Sequence, residues 1–198
     1  MMARRPARRA SALLQQHWFT VLTIAAAVAV SLYLLPMPQA AFAAVLAALA
    51  IFIAVVDLEY MIIPDAANIA MFVSGLAVVI TEAWPGTLVL EMSDALLRSA
   101  TAGGVLLALR YFYGRRSGVE GLGLGDAKLA AAGAPFLAWP VLPVALLIAA
   151  FGGLLAVGAQ ALAQRKLPGR RAEIPFGAFL APAIWVAYLI GQAGLLGV

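Results

Sequence analysis

Apolar runs long enough to cross a bilayer core of about 30 Å recur from residue 18 to the end of the chain, broken only by short polar or Pro/Gly-containing segments. A chain patterned in this way has lipid as its solvent, where helices are the elements that satisfy their own backbone. Hydrophobic residues make up 65% and charged residues 11%, with a mean hydropathy of +1.00; a soluble domain carries roughly a quarter of its residues as charges. The expected architecture is an all-α, polytopic transmembrane helix bundle.

Seven spans are expected, at 18–35, 40–56, 66–81, 95–113, 126–138, 141–163 and 175–196. The run after Asp126 is short for a crossing of about 20 residues, so it is tilted, re-entrant or continuous with the loop before it. Residues 1–17 form a basic N-terminal segment and 18–198 a single transmembrane domain. A rival reading makes the first run a removable signal peptide, because arginines precede it and Ala41-Phe42-Ala43 resembles a cleavage site. Pro36 and Pro38 serve equally as a turn between spans, and removal of the first run would leave six. Ala-rich stretches such as 40–50 are read as packing surfaces, since small residues let helices approach closely in lipid.

Basic residues set the expected orientation, because cytoplasmic loops retain them. Arg4, Arg5, Arg8 and Arg9, then Arg115 and Arg116, then Arg165, Lys166, Arg170 and Arg171 all fall on one side of these spans, while the connections at 36–39, 82–94 and 139–140 contain no Lys or Arg. The N-terminus is therefore placed inside. Trp18, Trp84, Trp139 and Trp185 mostly fall near the expected interfaces, as an aromatic belt does.

The inventory excludes several chemistries. There is no cysteine, so disulfides, thiolate metal sites and a cysteine nucleophile are ruled out, and the lone His17 cannot build a histidine metal site. The net charge of +4 sits between apolar runs rather than among exposed aromatics, which argues for topology and anionic lipid rather than nucleic acid. No cofactor or metal is expected.

Carboxylates are costly at membrane depth, so the nine acidic residues are informative. Asp57, Glu59, Asp65, Glu120, Asp126 and Glu173 fall on the inner side, and Glu82, Glu91 and Asp94 on the outer. In the segment from Val55 through Pro64 to Asp65, a span ends in an acid and a Pro-Asp pair opens the next helix. Capping and a functional role both remain open for Asp65. Asp57 sits at a helix C-terminus, where the dipole disfavours an anion, a setting suited to shared-proton chemistry. The second constellation, Gly121-Leu122-Gly123-Leu124-Gly125-Asp126-Ala127-Lys128-Leu129, is a glycine-rich entry to an apolar helix. It lacks the ending of a phosphate-binding loop, so its glycines are assigned to close backbone approach to a peptide and to unusual dihedrals beside the acid. Lys128 is read first as a snorkelling interfacial lysine, with tuning of the acid as the second reading.

Two aspartates at the inner ends of different spans can be brought together by helix packing. One then activates water as a base while the other, protonated, polarises a scissile carbonyl. Like charges a few ångströms apart share one proton, and the two titrate as a pair.

The 57–65 segment, the Gly123-Leu124-Gly125-Asp126 match to a GxGD motif, and Ile174-Pro175-Phe176-Gly177-Ala178-Phe179-Leu180 together resemble the bacterial type IV prepilin peptidases, in that family's order and over about residues 40–196. The resemblance implies an aspartic endopeptidase of the inner membrane. It would remove a short basic leader from prepilins or pseudopilins after a glycine, at the cytoplasmic face. Carried onto this chain it selects Asp57 and Asp126 as the catalytic pair, with Gly123, Gly125, Lys128, Pro64 and Asp65 supporting the motifs; it gives the 174–180 segment no chemical step. Leader recognition falls to acids, with Glu59, Asp65, Glu120 and Glu173 as candidates.

Many members carry a further N-terminal span and a loop with paired CxxC motifs, associated with methylation; neither is seen here, so the chain looks like the shorter branch found with tight-adherence pili, or like a peptidase whose methyltransferase is absent or separate. The family often has proline where Ala178 stands. Two rivals are weighed. A small ion- or proton-coupled transporter would also use intramembrane carboxylates, but near the midplane or with inverted repeats. The presenilin and signal-peptide-peptidase group shares GxGD, but Val56 precedes Asp57 where that group has tyrosine, and Ala181-Pro182-Ala183 is a poor echo of its later motif. The particular pilin and the oligomeric state are left open.

Overall fold

The computed structural model describes residues 5–117, 122–164 and 174–195, with side chains from residue 18 onward. Seven α-helices follow in order: α1 (Arg5–Leu34), α2 (Gln39–Tyr60), α3 (Asp65–Glu82), α4 (Leu88–Ser117), α5 (Leu124–Gly133), α6 (Leu142–Gln164) and α7 (Gly177–Gln192). A 3-10 turn, Ala134–Phe136, continues α5. No strand occurs among the described residues, so the all-α expectation holds. Helices α2, α3 and α6 are long and apolar enough to cross a membrane, and the shorter apolar stretches Trp18–Leu34 of α1 and Gly177–Gln192 accompany them.

Helix α2 is the spine. Ala40, Ala43, Leu46, Ala47, Ala50, Ile53, Ala54 and Asp57 are its buried residues, a stripe repeating every three or four positions that faces the bundle. Most are alanines, so the backbones of α1 and α7 approach it closely. Helix α7 presents Leu180, Ala181, Ile184 and Tyr188 to the same core, where Tyr188 meets Phe136 edge to face at 5.5 Å between ring centroids. The Trp185 indole N–H donates to Ser31 Oγ of α1 at 3.1 Å. Trp185 thus works inside the bundle, whereas the exposed Trp18 and Trp84 suit the interfacial role expected of most of the four.

Several elements differ from their expected extents, α1 already beginning at Arg5, ahead of the span expected from residue 18. Helix α4 begins at Leu88, well before 95, because the acidic stretch meant to be loop is helical and its Asp94 pairs with Arg98 one turn on, at 3.0 Å. The expected span at 126–138 is instead the ten-residue α5 plus the 3-10 turn. Pro135 has no N–H to continue an α-helix, and α5 alone rises only about 15 Å. So short an element survives because it is encased in protein: Ala127, Leu129, Ala130, Ala132 and Ala134 are buried, between α3, α4 and α7. At its far end the buried Arg98 guanidinium donates to the Leu137 carbonyl and, at 3.5 Å, to that of Pro135, so a cation closes the polar groups where the helix stops.

Candidate active site

The end of α2 and the starts of α3, α5 and α7 meet at one end of the bundle. Asp57 occupies the last turn of α2 and is 5% exposed. Its carbonyl accepts the N–H of Met61, which stands in the left-handed region at φ 56 and stops the helix there. The Asp57 side chain turns to α7, where Oδ2 accepts the Ala178 N–H at 2.8 Å. Asp126, 6% exposed, lies in the first turn of α5, and its Oδ2 accepts the Gly123 N–H at 3.0 Å, closing that helix's entry on itself. A Cβ on Gly177 would lie 3.0 Å from Asp57 Oδ2, and the two acids lie near enough for their charges to repel. The structure therefore brings Asp57 and Asp126 together around the first turn of α7.

This arrangement alters the electrostatic picture read from α2 alone. The C-terminal end of α2 does disfavour an anion, but the N-terminal end of α7, with its unpaired N–H groups, is directed at the same carboxylate and favours one. A single-helix reading of the sequence had no means of finding that second dipole.

The supporting residues have separate placements. Pro64 is the N-cap of α3. Asp65 is the first residue of that helix and makes no capping bond; it pairs with Lys128 Nζ at 2.8 Å, with side chains 68% and 57% exposed. Lys128 thus holds Asp65 and is not turned to Asp126, and its largely exposed side chain agrees with the snorkelling role read first. A side chain on Gly125 would start 3.3 Å from Ile63 Cβ, and one on Gly123 3.2 Å from Asp126 Oδ2, so the close approach at both glycines is to the protein's own side chains, and neither takes the unusual positive φ that the sequence suggested. Glu59 is exposed on the last turn of α2. Glu120 and Glu173 lie outside the described residues.

Sequence reading missed Ile63, whose side chain fills the space between Gly125 and Gly177, and gave no task to Gly177 or Ala178. A signal existed for the last two in the 174–180 segment, but nothing local ties it to a residue 121 positions away. Among the described residues no group of three or more acids or histidines has the geometry to hold a metal ion.

Comparison with known proteins bears on the same residues. The model of the type IV leader peptidase family matches 44–158, a stretch that contains both Asp57 and Asp126. A prepilin leader peptidase/N-methyltransferase of Aeromonas hydrophila is 29% identical over 174 residues, covering 87% of this chain and 57% of that protein. Proteins of the same name from Pectobacterium carotovorum and Burkholderia pseudomallei are 33% and 34% identical over 136 and 131 residues, covering 68% and 64% of this chain and 47% and 38% of theirs. The chain thus spans about half the length of the curated relatives it matches. No solved structure matches it. With the family match extending over more than half of its residues, the chain belongs to the type IV leader peptidase family.

Proposed function

We propose that this protein is a membrane-embedded aspartic endopeptidase that removes the leader from prepilins or pseudopilins, with Asp57 and Asp126 as its catalytic pair. The observation that carries this reading is the convergence of two buried carboxylates from different helices at the start of α7: the Ala178 N–H donates to Asp57 Oδ2 at 2.8 Å, and Ile63 packs against both Gly177 and the Gly125 that precedes Asp126. Two acids so placed hold a single proton at working pH. The ionised member takes a proton from water as the water oxygen attacks the scissile carbonyl carbon, and the protonated member donates to the carbonyl oxygen. Return of that proton and transfer of the other to the amide nitrogen break the C–N bond and regenerate the pair. Water is the only co-reactant this requires.

The membrane face is part of the proposal. Arg115 and Arg116 close α4, whose Arg110 donates to the carbonyl of Leu122 beside the start of α5. The basic residues thus share the end of the bundle that holds the acids, which supports a cytoplasmic active site in the inner membrane. Glu59, with Glu120 and Glu173, is assigned to the basic leader; Asp65 is already engaged by Lys128. Charge reversal at Glu59 should slow cleavage of a Lys/Arg-rich leader, and an unchanged rate would remove Glu59 from that role.

The decisive experiment is incubation of a candidate prepilin with membranes carrying the wild type, Asp57→Asn or Asp126→Asn. Both variants should leave the leader in place, and the wild type should be indifferent to chelators. Leader removal at the wild-type rate by either variant would end the reading.

A further inference from the structure

We infer that the first turn of α7 is the positioning element of the aspartate pair, and that Gly177 is required there because a side chain would displace Asp57. The inference rests on the catalytic reading above and adds to it the residues that hold the pair in register.

The first N–H groups of a helix have no intrahelical partner and must find one elsewhere. In α7 the N–H groups of Phe179 and Leu180 turn back to the Phe176 carbonyl, at 3.0 and 2.9 Å. That leaves the first N–H groups of α7 directed out of the helix, and that of Ala178 donates to Asp57 Oδ2 at 2.8 Å. This bond restrains the rotation of the Asp57 carboxylate. Asp126 is the titratable group that faces Asp57 from a neighbouring helix, while Lys128 is turned away to Asp65.

The requirement for glycine at 177 is spatial. A Cβ there would lie 2.5 Å from Ile63 Cδ1 and 3.0 Å from Asp57 Oδ2. The first contact is with a flexible methyl that can move aside, whereas the second is with the carboxylate itself. Ile63 also touches the Gly125 position, directly before Asp126. One side chain from the α2–α3 connection therefore packs against the turns that carry or hold both acids, and a shift of α7 is transmitted to the pair.

Four variants test this in the whole chain, each measured for kcat, KM and pH profile on a prepilin. Gly177→Ala should lower kcat by about tenfold to a hundredfold with KM within about twofold. The loss should persist when Gly177→Ala is combined with Ile63→Ala and compared with Ile63→Ala alone, because the clash with Asp57 remains. Ala178→Pro removes a donor at a first-turn position where helices tolerate proline. It should keep the fold, and the acidic limb of its profile should move to higher pH, since a carboxylate that loses an N–H donor protonates more readily. Full relief of the Gly177→Ala loss in the Ile63→Ala background, or an acidic limb unmoved in Ala178→Pro, would overturn the inference. Should Gly177→Ala fail to accumulate in membranes, Ala178→Pro decides alone. Cleavage by Asp57→Asn would instead strike the catalytic reading beneath it.

Discussion

Asp65 offers a sharp test, because it lies eight residues from Asp57, in a motif that sequence alone could not divide between them. Its carboxylate is largely exposed and holds Lys128 at 2.8 Å. An exposed pair of this kind contributes about 0.2–1 kcal/mol, and an acid in the first turn of a helix roughly 0.3–1 kcal/mol through the dipole. Asp65→Asn should therefore lower stability by at most about 2 kcal/mol, taking both contributions together. It should leave kcat/KM per folded molecule within about tenfold of wild type, a change of about 1.4 kcal/mol in the barrier. Asp57→Asn removes a member of the reacting pair and should cost about a thousandfold or more. The assay is the initial rate of leader removal in proteoliposomes at matched amounts of folded protein, with thermal unfolding measured alongside. Equal inactivity of Asp65→Asn and Asp57→Asn would refute the assignment, whatever the stability of either.

Two further outcomes follow from packing away from the acids. A Cβ on Gly133 would stand 2.6 Å from Ile184 Cδ1, so Gly133→Ala should cost about 1–3 kcal/mol by overpacking, with partial recovery in Gly133→Ala/Ile184→Val, read by thermal unfolding in detergent. Arg98→Met leaves the Leu137 carbonyl and Asp94 without their cation and should lose roughly 1.5–3 kcal/mol, while cleavage per folded molecule stays near wild type because Arg98 lies at the opposite end of the bundle; a selective loss of kcat would contradict that placement.

Much of this was legible in the primary structure, for reasons that can be located. Helices α2, α3 and α6 follow from uninterrupted apolar runs, because lipid demands them over a fixed length. The Pro64-Asp65 pair marked the start of α3 correctly, since proline acts through local backbone geometry. The shortness of the run after Asp126 was legible, but its setting was not, because hydropathy does not distinguish a residue facing lipid from one encased by neighbouring helices; the burial of Leu129 and Ala130 separates the two. The α4 start was missed for the opposite reason, the Asp94–Arg98 pair making a helix of residues that hydropathy assigns to a loop. At the site, the acids are conspicuous in an apolar chain, and the resemblance of their motifs to the prepilin peptidases singled out Asp57 and Asp126 among them. Gly177, Ala178 and Ile63 could not be singled out, because what matters there is a backbone N–H and an empty volume, and neither has a letter in the sequence.

The claim on which the account depends is that the ends of α2 and α5 bring residues 57 and 126 side by side, and the absence of cysteine makes this directly measurable. Asp57→Cys and Asp126→Cys are introduced together with a protease site at Gly86, between α3 and α4, and the membranes are treated with a short bis-thiol reagent before proteolysis. The two fragments should stay joined, while a control pairing Asp57→Cys with Asp94→Cys, at the other end of the bundle, should come apart. Separation of the 57/126 pair to the same extent as the control would contradict the account.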